Sequence, residues 1–143
     1  MPLTRVYLAL TPDDLAALSQ GRPIGPPPLH AHAVTPALGR PGLATDEEEL
    51  EHLAWLAATE EAAGRSAPRV LRRVVASADV DAATVLHPGE PDTASRVELS
   101  APVDLRRVVS FNVDEEPGAT GPTDLLWYDV TELAEVRALV SEE

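Results

Sequence analysis

The chain has 143 residues, carries a formal net charge of −13 and contains no cysteine. That length suits one domain with its own core, residues 1–143, and the missing cysteines exclude disulfides, thiolate zinc sites and cysteine nucleophiles. The eleven positive residues are all arginine; so acidic a surface repels phosphate backbones and anionic lipid head groups, which excludes nucleic acid and membranes as expected partners and leaves proteins or small molecules.

The N-terminal segment Met1 to Tyr7 has no basic leader followed by an apolar run. No apolar stretch approaches the ~20 residues that cross a bilayer, so neither signal-peptide export nor a membrane span is expected, and a cytoplasmic location is. The Ala/Arg/Pro-rich, lysine-free usage points to a GC-rich genome.

Arg5 to Leu10 is a short β-like run. Thr11-Pro12-Asp13-Asp14 then supplies a capping threonine, a first-turn proline and acidic residues for a helix Pro12 to Gln20, which Gly21 stops. Arg22 to Pro28, with four prolines, is a loop. Leu29 to Val34 reads as a second strand, and Thr35-Pro36 announces a helix that Gly39, Pro41 and Gly42 interrupt. A capping box at Thr45 and Glu48 opens a helix from Asp46 to about Ala63, with Leu50, Leu53, Ala54, Leu56 and Ala57 in one stripe. Trp55 lies off that stripe, on a second packed surface or as an interface anchor.

Arg69 to Val80 is the longest strand-like run and is expected at the centre of the sheet. From Val74 on both its faces are apolar or small, as in a strand covered on two sides. His87 to Ser95 is a polar loop, Arg96 to Leu99 a short strand, and Pro102 to Arg107 a helical turn. In Val108 to Val113, the side chains of Val109, Phe111 and Val113 face one way and Ser110 and Asn112 the other. Asp114 to Thr123 is an acidic loop with Asp114 to Glu116 as a solvated turn. Leu125 to Tyr128 is a last strand, and Asp129 or Thr131 caps a helix, Thr131 to Val140. The reading is an α+β (or α/β) domain: a mixed sheet of about five or six short strands with three main helices.

His30 and His32, two apart on a strand, can offer two imidazoles to one ion. No third ligand is placed beside them, so no metal is expected. The acids Asp46 to Glu49 complement a helix dipole. Arg69, Arg72, Arg73, Arg106 and Arg107 can form an anion patch or, as expected in so acidic a chain, ion pairs. Trp127 and Tyr128 suit a core first and an interface second. No Gly-rich phosphate loop, Gly-x-Ser-x-Gly elbow or paired-His helix motif is present.

Val6-Tyr7-Leu8, Ala31-His32-Ala33-Val34-Thr35-Pro36, the helix start Asp46 to Glu51 and Leu125-Leu126-Trp127-Tyr128 together resemble an uncharacterised family of small actinobacterial proteins, which implies no role for any residue. The element order and His32-Ala33-Val34-Thr35-Pro36, with Ala101 to Val109, also resemble small proteins with an ADP-ribosyltransferase-like fold. In those a His-x-Ser-Thr-Pro segment lies beside a nicotinamide dinucleotide cleft. Here Val34 replaces the serine and Leu8 stands where that family commonly has a histidine.

The leading functional expectation is a non-catalytic cytoplasmic binding or adaptor module without a cofactor. The alternative implied by the second resemblance is a small, possibly degenerate NAD-dependent transferase. Its NAD would meet Tyr7 by stacking, His32 through a ribose hydroxyl and Thr35 near a phosphate, with Glu132 or Asp129 as the carboxylate at the reacting centre.

Overall fold

The computed structural model describes residues 2–39, 46–66, 72–87 and 94–141. Among these residues seven strands form one sheet: β1 Leu3–Ala9, β2 Leu29–His32, β3 Val74–Asp81, β4 Val85–Leu86, β5 Arg96–Leu99, β6 Val108–Asp114 and β7 Leu125–Asp129. Their order is β4-β5-β2-β1-β3-β6-β7, and every pairing is antiparallel. The protein is therefore α+β, with an antiparallel rather than a mixed sheet. Strand-helix alternation suggested parallel crossovers, but the segments between strands return the chain to an antiparallel neighbour. β1 is the middle strand, and β3 lies beside it; Arg69, at the start of the expected central run, falls outside the described residues.

Among the described residues four α-helices accompany the sheet: α1 Pro12–Ser19, α2 Pro36–Gly39, α3 Glu47–Ser66 and α4 Leu133–Ser141. Local chemistry explains the first. Thr11 Oγ1 accepts the Asp14 N–H at 3.2 Å while Asp14 Oδ2 accepts the Thr11 N–H at 2.9 Å, a reciprocal capping box. At the other end Gly21, at φ +75°, donates to the Leu18 carbonyl and Arg22 donates to that of Ala17, which closes the helix in a Schellman turn. For α3, Thr45 lies outside the described residues. Asp46 Oδ1 accepts the Glu48 N–H at 2.9 Å and so caps the helix.

Strand alternation sorts the core into two layers. Val6, Leu8, Leu10, Ala76, Ala78, Phe111 and Val113 meet Leu15 and Leu18 of α1 and Leu133, Val136 and Val140 of α4. On the opposite face Tyr7, Ala9 and Val75 meet Ala54, Ala58 and Ala62 of α3, with Trp55 and Leu38 packed alongside. A register shift between Ser77 and Ala78 corrects the expected face of Val109: Ser110 pairs with Ser77 and Val108 with Ala78, so Val109 is bulged out and exposed while Val108 turns inward.

The α3 stripe is also rotated from the expected one. Ala54, Ala58 and Ala62, four residues apart, lie against the sheet, while Leu53 is exposed. Alanines let the helix axis approach the strands closely, and the longer leucines lie toward its flanks.

Asp114 is no solvated turn. It is 1% exposed and accepts from the Arg73 backbone N–H at 2.6 Å, from Arg73 Nε at 2.9 Å and from its Nη2 at 2.7 Å. Arg73 Nη2 also donates to the Gly121 carbonyl at 2.8 Å, which ties the 115–121 loop to the start of β3. Among the described residues the arginines do not gather as an anion patch: Arg106 pairs with Asp104, Arg107 with Asp81, and Arg72 donates to the Leu139 and Glu115 carbonyls.

Candidate functional site

The face beneath α3 carries a row of polar register partners that crosses six strands: Arg96, His32, Tyr7, Ser77, Ser110 and Asp129. Buried polar side chains need partners, and α3 supplies them from both ends of its alanine stripe. Near its start, Glu51 accepts from the Tyr7 hydroxyl at 3.4 Å. Near its end, Glu61 Oε1 accepts from His32 Nε2 at 2.9 Å and from Arg96 Nη2 at 3.3 Å. Between them Trp55 Nε1 donates to Asn112 Oδ1 at 3.2 Å, and its indole stacks on His52 with centroids 5.6 Å apart.

His32 connects two groups. A carboxylate only accepts, so Nε2 carries the proton toward Glu61; in the neutral ring Nδ1 then accepts the Ser95 hydroxyl at 2.9 Å. Hydroxyl, imidazole and carboxylate thus stand in one chain, as in a hydrolase triad. Ser95 is at 0% exposure, however, so its hydroxyl is closed to solvent. The chain ends blind at the serine and open at the carboxylate. It holds Glu61 in orientation.

Glu61 opens onto a shallow pocket of about 420 Å³ lined by His30, Glu61, Gly64 and Arg96. His30 is exposed and His32 buried, so the two imidazoles share a face but not an environment. Arg96 contributes a second feature: its buried Nε–H has no hydrogen-bond acceptor among the described residues. A buried donor left without an acceptor costs about 1–3 kcal/mol.

Tyr7 and His32 are brought together as register partners, but Tyr7 is buried under α3 and offers no open ring face for stacking. Its phenol is pushed up to about 12, first by burial and then by the neighbouring Glu51 carboxylate. Thr35 caps α2 by accepting the Leu38 N–H at 3.1 Å and donates to the Ala94 carbonyl. Glu132 accepts the Asp129 N–H at 3.0 Å, and Asp129 Oδ2 accepts the Thr131 N–H at 2.9 Å. Asp129 ends β7 and Glu132 follows it, four strand steps from β2, or about 19 Å at the usual spacing. The geometry does not bring them to His32. Among the described residues no group of three His, Cys, Asp or Glu side chains is arranged to hold a metal ion, and no helix is long and apolar enough to cross a membrane.

Sequence reasoning assigns no role to Glu51, Glu61 or Ser95. A signal for the glutamates was present: 51, 54, 58 and 61 follow helical spacing, which puts a carboxylate at each end of the alanine stripe. For Ser95, in a polar loop, no local signal exists.

These features define an α+β protein whose antiparallel sheet has one dry face and one polar face, the latter opening on a small pocket. A family model matches residues 4–120, and the chain belongs to that family, DUF6912, a family of unknown function. Comparisons with curated proteins and with solved structures gave no match.

Proposed function

We propose that the protein is a non-catalytic binding module whose pocket between α3 and the β2–β5 edge takes a small ligand bearing carboxylate or phosphate oxygens. The observation that carries this reading is the open pocket that Arg96 lines with a side chain 26% exposed. An oxyanion is the acceptor a guanidinium binds best, through charge-assisted hydrogen bonds. Glu61, held by His32 and Ser95, repels a second negative group and sets the ligand's orientation. The lysine-free composition supports an actinobacterial origin, and the absence of cysteine supports a reducing, cytoplasmic setting.

The NAD-dependent transferase with an ADP-ribosyltransferase-like fold remains the competing proposal. What weakens it is the burial of Tyr7 and the distance of Glu132 from His32. One experiment separates the two: thermal unfolding with and without millimolar phosphate, glutamate, nicotinamide or NAD. A ligand at a hundred times its Kd adds about 2.7 kcal/mol and raises the midpoint by about 10 °C in a chain of this size. The binding reading expects a shift with at least one carboxylate or phosphate, lost in Arg96→Ala. No shift with any of the four sinks it, and a shift with NAD accompanied by nicotinamide release replaces it with the transferase.

A further inference from the structure

β7 ends the sheet, paired by β6 and by no other strand among the described residues. An edge strand turns every second N–H and C=O outward, and stable proteins guard such an edge with lysine, proline, a bulge or a cover. β7, Leu-Leu-Trp-Tyr-Asp, has no lysine or proline and pairs with β6 in unbroken register from Asp114↔Leu125 to Ser110↔Asp129. It also exposes apolar surface on both sides of the sheet. Trp127, 62% exposed, stands opposite Asn112 on the α3 face. Leu126, 41% exposed, stands opposite Val113 on the α4 face.

We propose that the β7 edge is a docking site for an extended, basic segment of a partner protein, which adds to the sheet as an eighth strand. A helix or a flat surface covers one face of an edge strand; only an added strand bonds the outward backbone groups and touches Leu126 and Trp127 at once. Alternate side chains of that strand fall on Trp127 and on Leu126. Charge selects the occupant. Glu115 and Glu116 stand at the Leu125 end, Asp129 and Glu132 at the other, and Glu135 begins α4. Among the described residues the cations on this side are Arg73, paired with Asp114, Arg72, held by the Leu139 and Glu115 carbonyls, and Arg137 on α4. A second copy would bring another net charge of −13 to the same edge, whereas an arginine or lysine of a basic strand gains both the acidic flanks and the indole face of Trp127.

The test uses the full chain and two synthetic octapeptides, one alternating Val and Arg, the other alternating Val and Glu, with binding followed by titration calorimetry and amide hydrogen exchange. The basic peptide is expected to bind, to weaken at 0.5 M salt in line with screening, and to slow exchange at Trp127, whose amide the alternation turns outward. The Trp127→Ala variant, altered at an exposed position and so expected to unfold at an unchanged temperature, should bind it about tenfold more weakly. Leu86→Ala, at the exposed β4 edge on the far side of the sheet, should bind it unchanged. The proposal is overturned if neither peptide binds, if the two bind equally, if Leu86→Ala loses as much as Trp127→Ala, or if sedimentation shows the chain dimerising through β7 in their absence.

Discussion

The two faces of the sheet are built from the same strands by opposite means. Toward α1 and α4, Val6, Leu8, Phe111 and Val113 meet leucines and valines, and the layer is dry. Toward α3, small alanines bring the helix close while Tyr7, His32, Asn112 and Arg96 are matched by Glu51, Glu61 and Trp55. The dry face supplies the hydrophobic driving force. The polar face depends on each group keeping its partner, because a half-satisfied polar network is worse than an apolar one. A protein with both can afford a binding site on the second without loosening the first.

The sharpest way to break the comparison is on the dry face. Phe111 is fully buried at its centre, and Phe111→Ala removes the ring and leaves a cavity that stiff strands cannot fill. Chemical denaturation should show a loss of about 3–5 kcal/mol. A loss under 1 kcal/mol would mean that this layer is not the main source of stability.

The Arg73–Asp114 pair is the exception that sharpens the contrast, a charge pair at the end of β3 and β6 with 5% and 0% side-chain exposure. Arg73→Ala leaves the Asp114 carboxylate buried with a single donor, its backbone N–H from Arg73, at a cost of about 3 kcal/mol. The same variant should speed hydrogen exchange in the 115–121 loop, which Arg73 holds through the Thr120 and Gly121 carbonyls.

On the polar face, Glu61→Gln keeps the shape but removes the charge that His32 and Arg96 share. The expected loss is about 1–2 kcal/mol, smaller than at Phe111, yet any ligand shift at the pocket should change with it. A loss of stability with ligand binding intact would separate the His32–Glu61 chain from the pocket and leave it a purely structural element.

The difference between the faces also decides what the sequence revealed. Capping at Thr11 to Asp14 and the turn at Gly21 are local, and local chemistry is legible. So were β1, α1 and the alternation of β3, because the dry face writes itself as an apolar period. The α3 face is written in pairs 29, 44, 57 and 63 residues apart, and no window along the chain contains both partners. Its glutamates lie on the side of α3 that reads as polar, so the sequence pattern favours the leucines as the buried stripe. The Val109 bulge was illegible for a related reason: it arises from register against β3, not from its own neighbours.

The smallest effect on stability comes from the Tyr7 hydroxyl, and it is the most diagnostic of the polar face. Its bond to Glu51 is long at 3.4 Å, so Tyr7→Phe should cost about 0.5 kcal/mol or less at pH 7. The alkaline limb is different. In the folded chain the phenol ionises near 12 because burial and Glu51 oppose its charge, whereas in the unfolded chain it ionises near 10. Below pH 10 both states keep the proton and nothing is lost. As pH rises from 10 to 12 the unfolded chain releases its proton while the folded one holds it, so unfolding gains and stability falls. The loss should approach about 1–2 kcal/mol after allowance for solvent screening. Tyr7→Phe should remove that part of the decline, and the phenolate absorbance of the native protein should show one step delayed to near 12 that the variant lacks. A variant whose stability falls as steeply as the parent's between pH 10 and 12 would mean that the Tyr7 hydroxyl is not sealed under α3, and the polar face would then be open to water along its whole row.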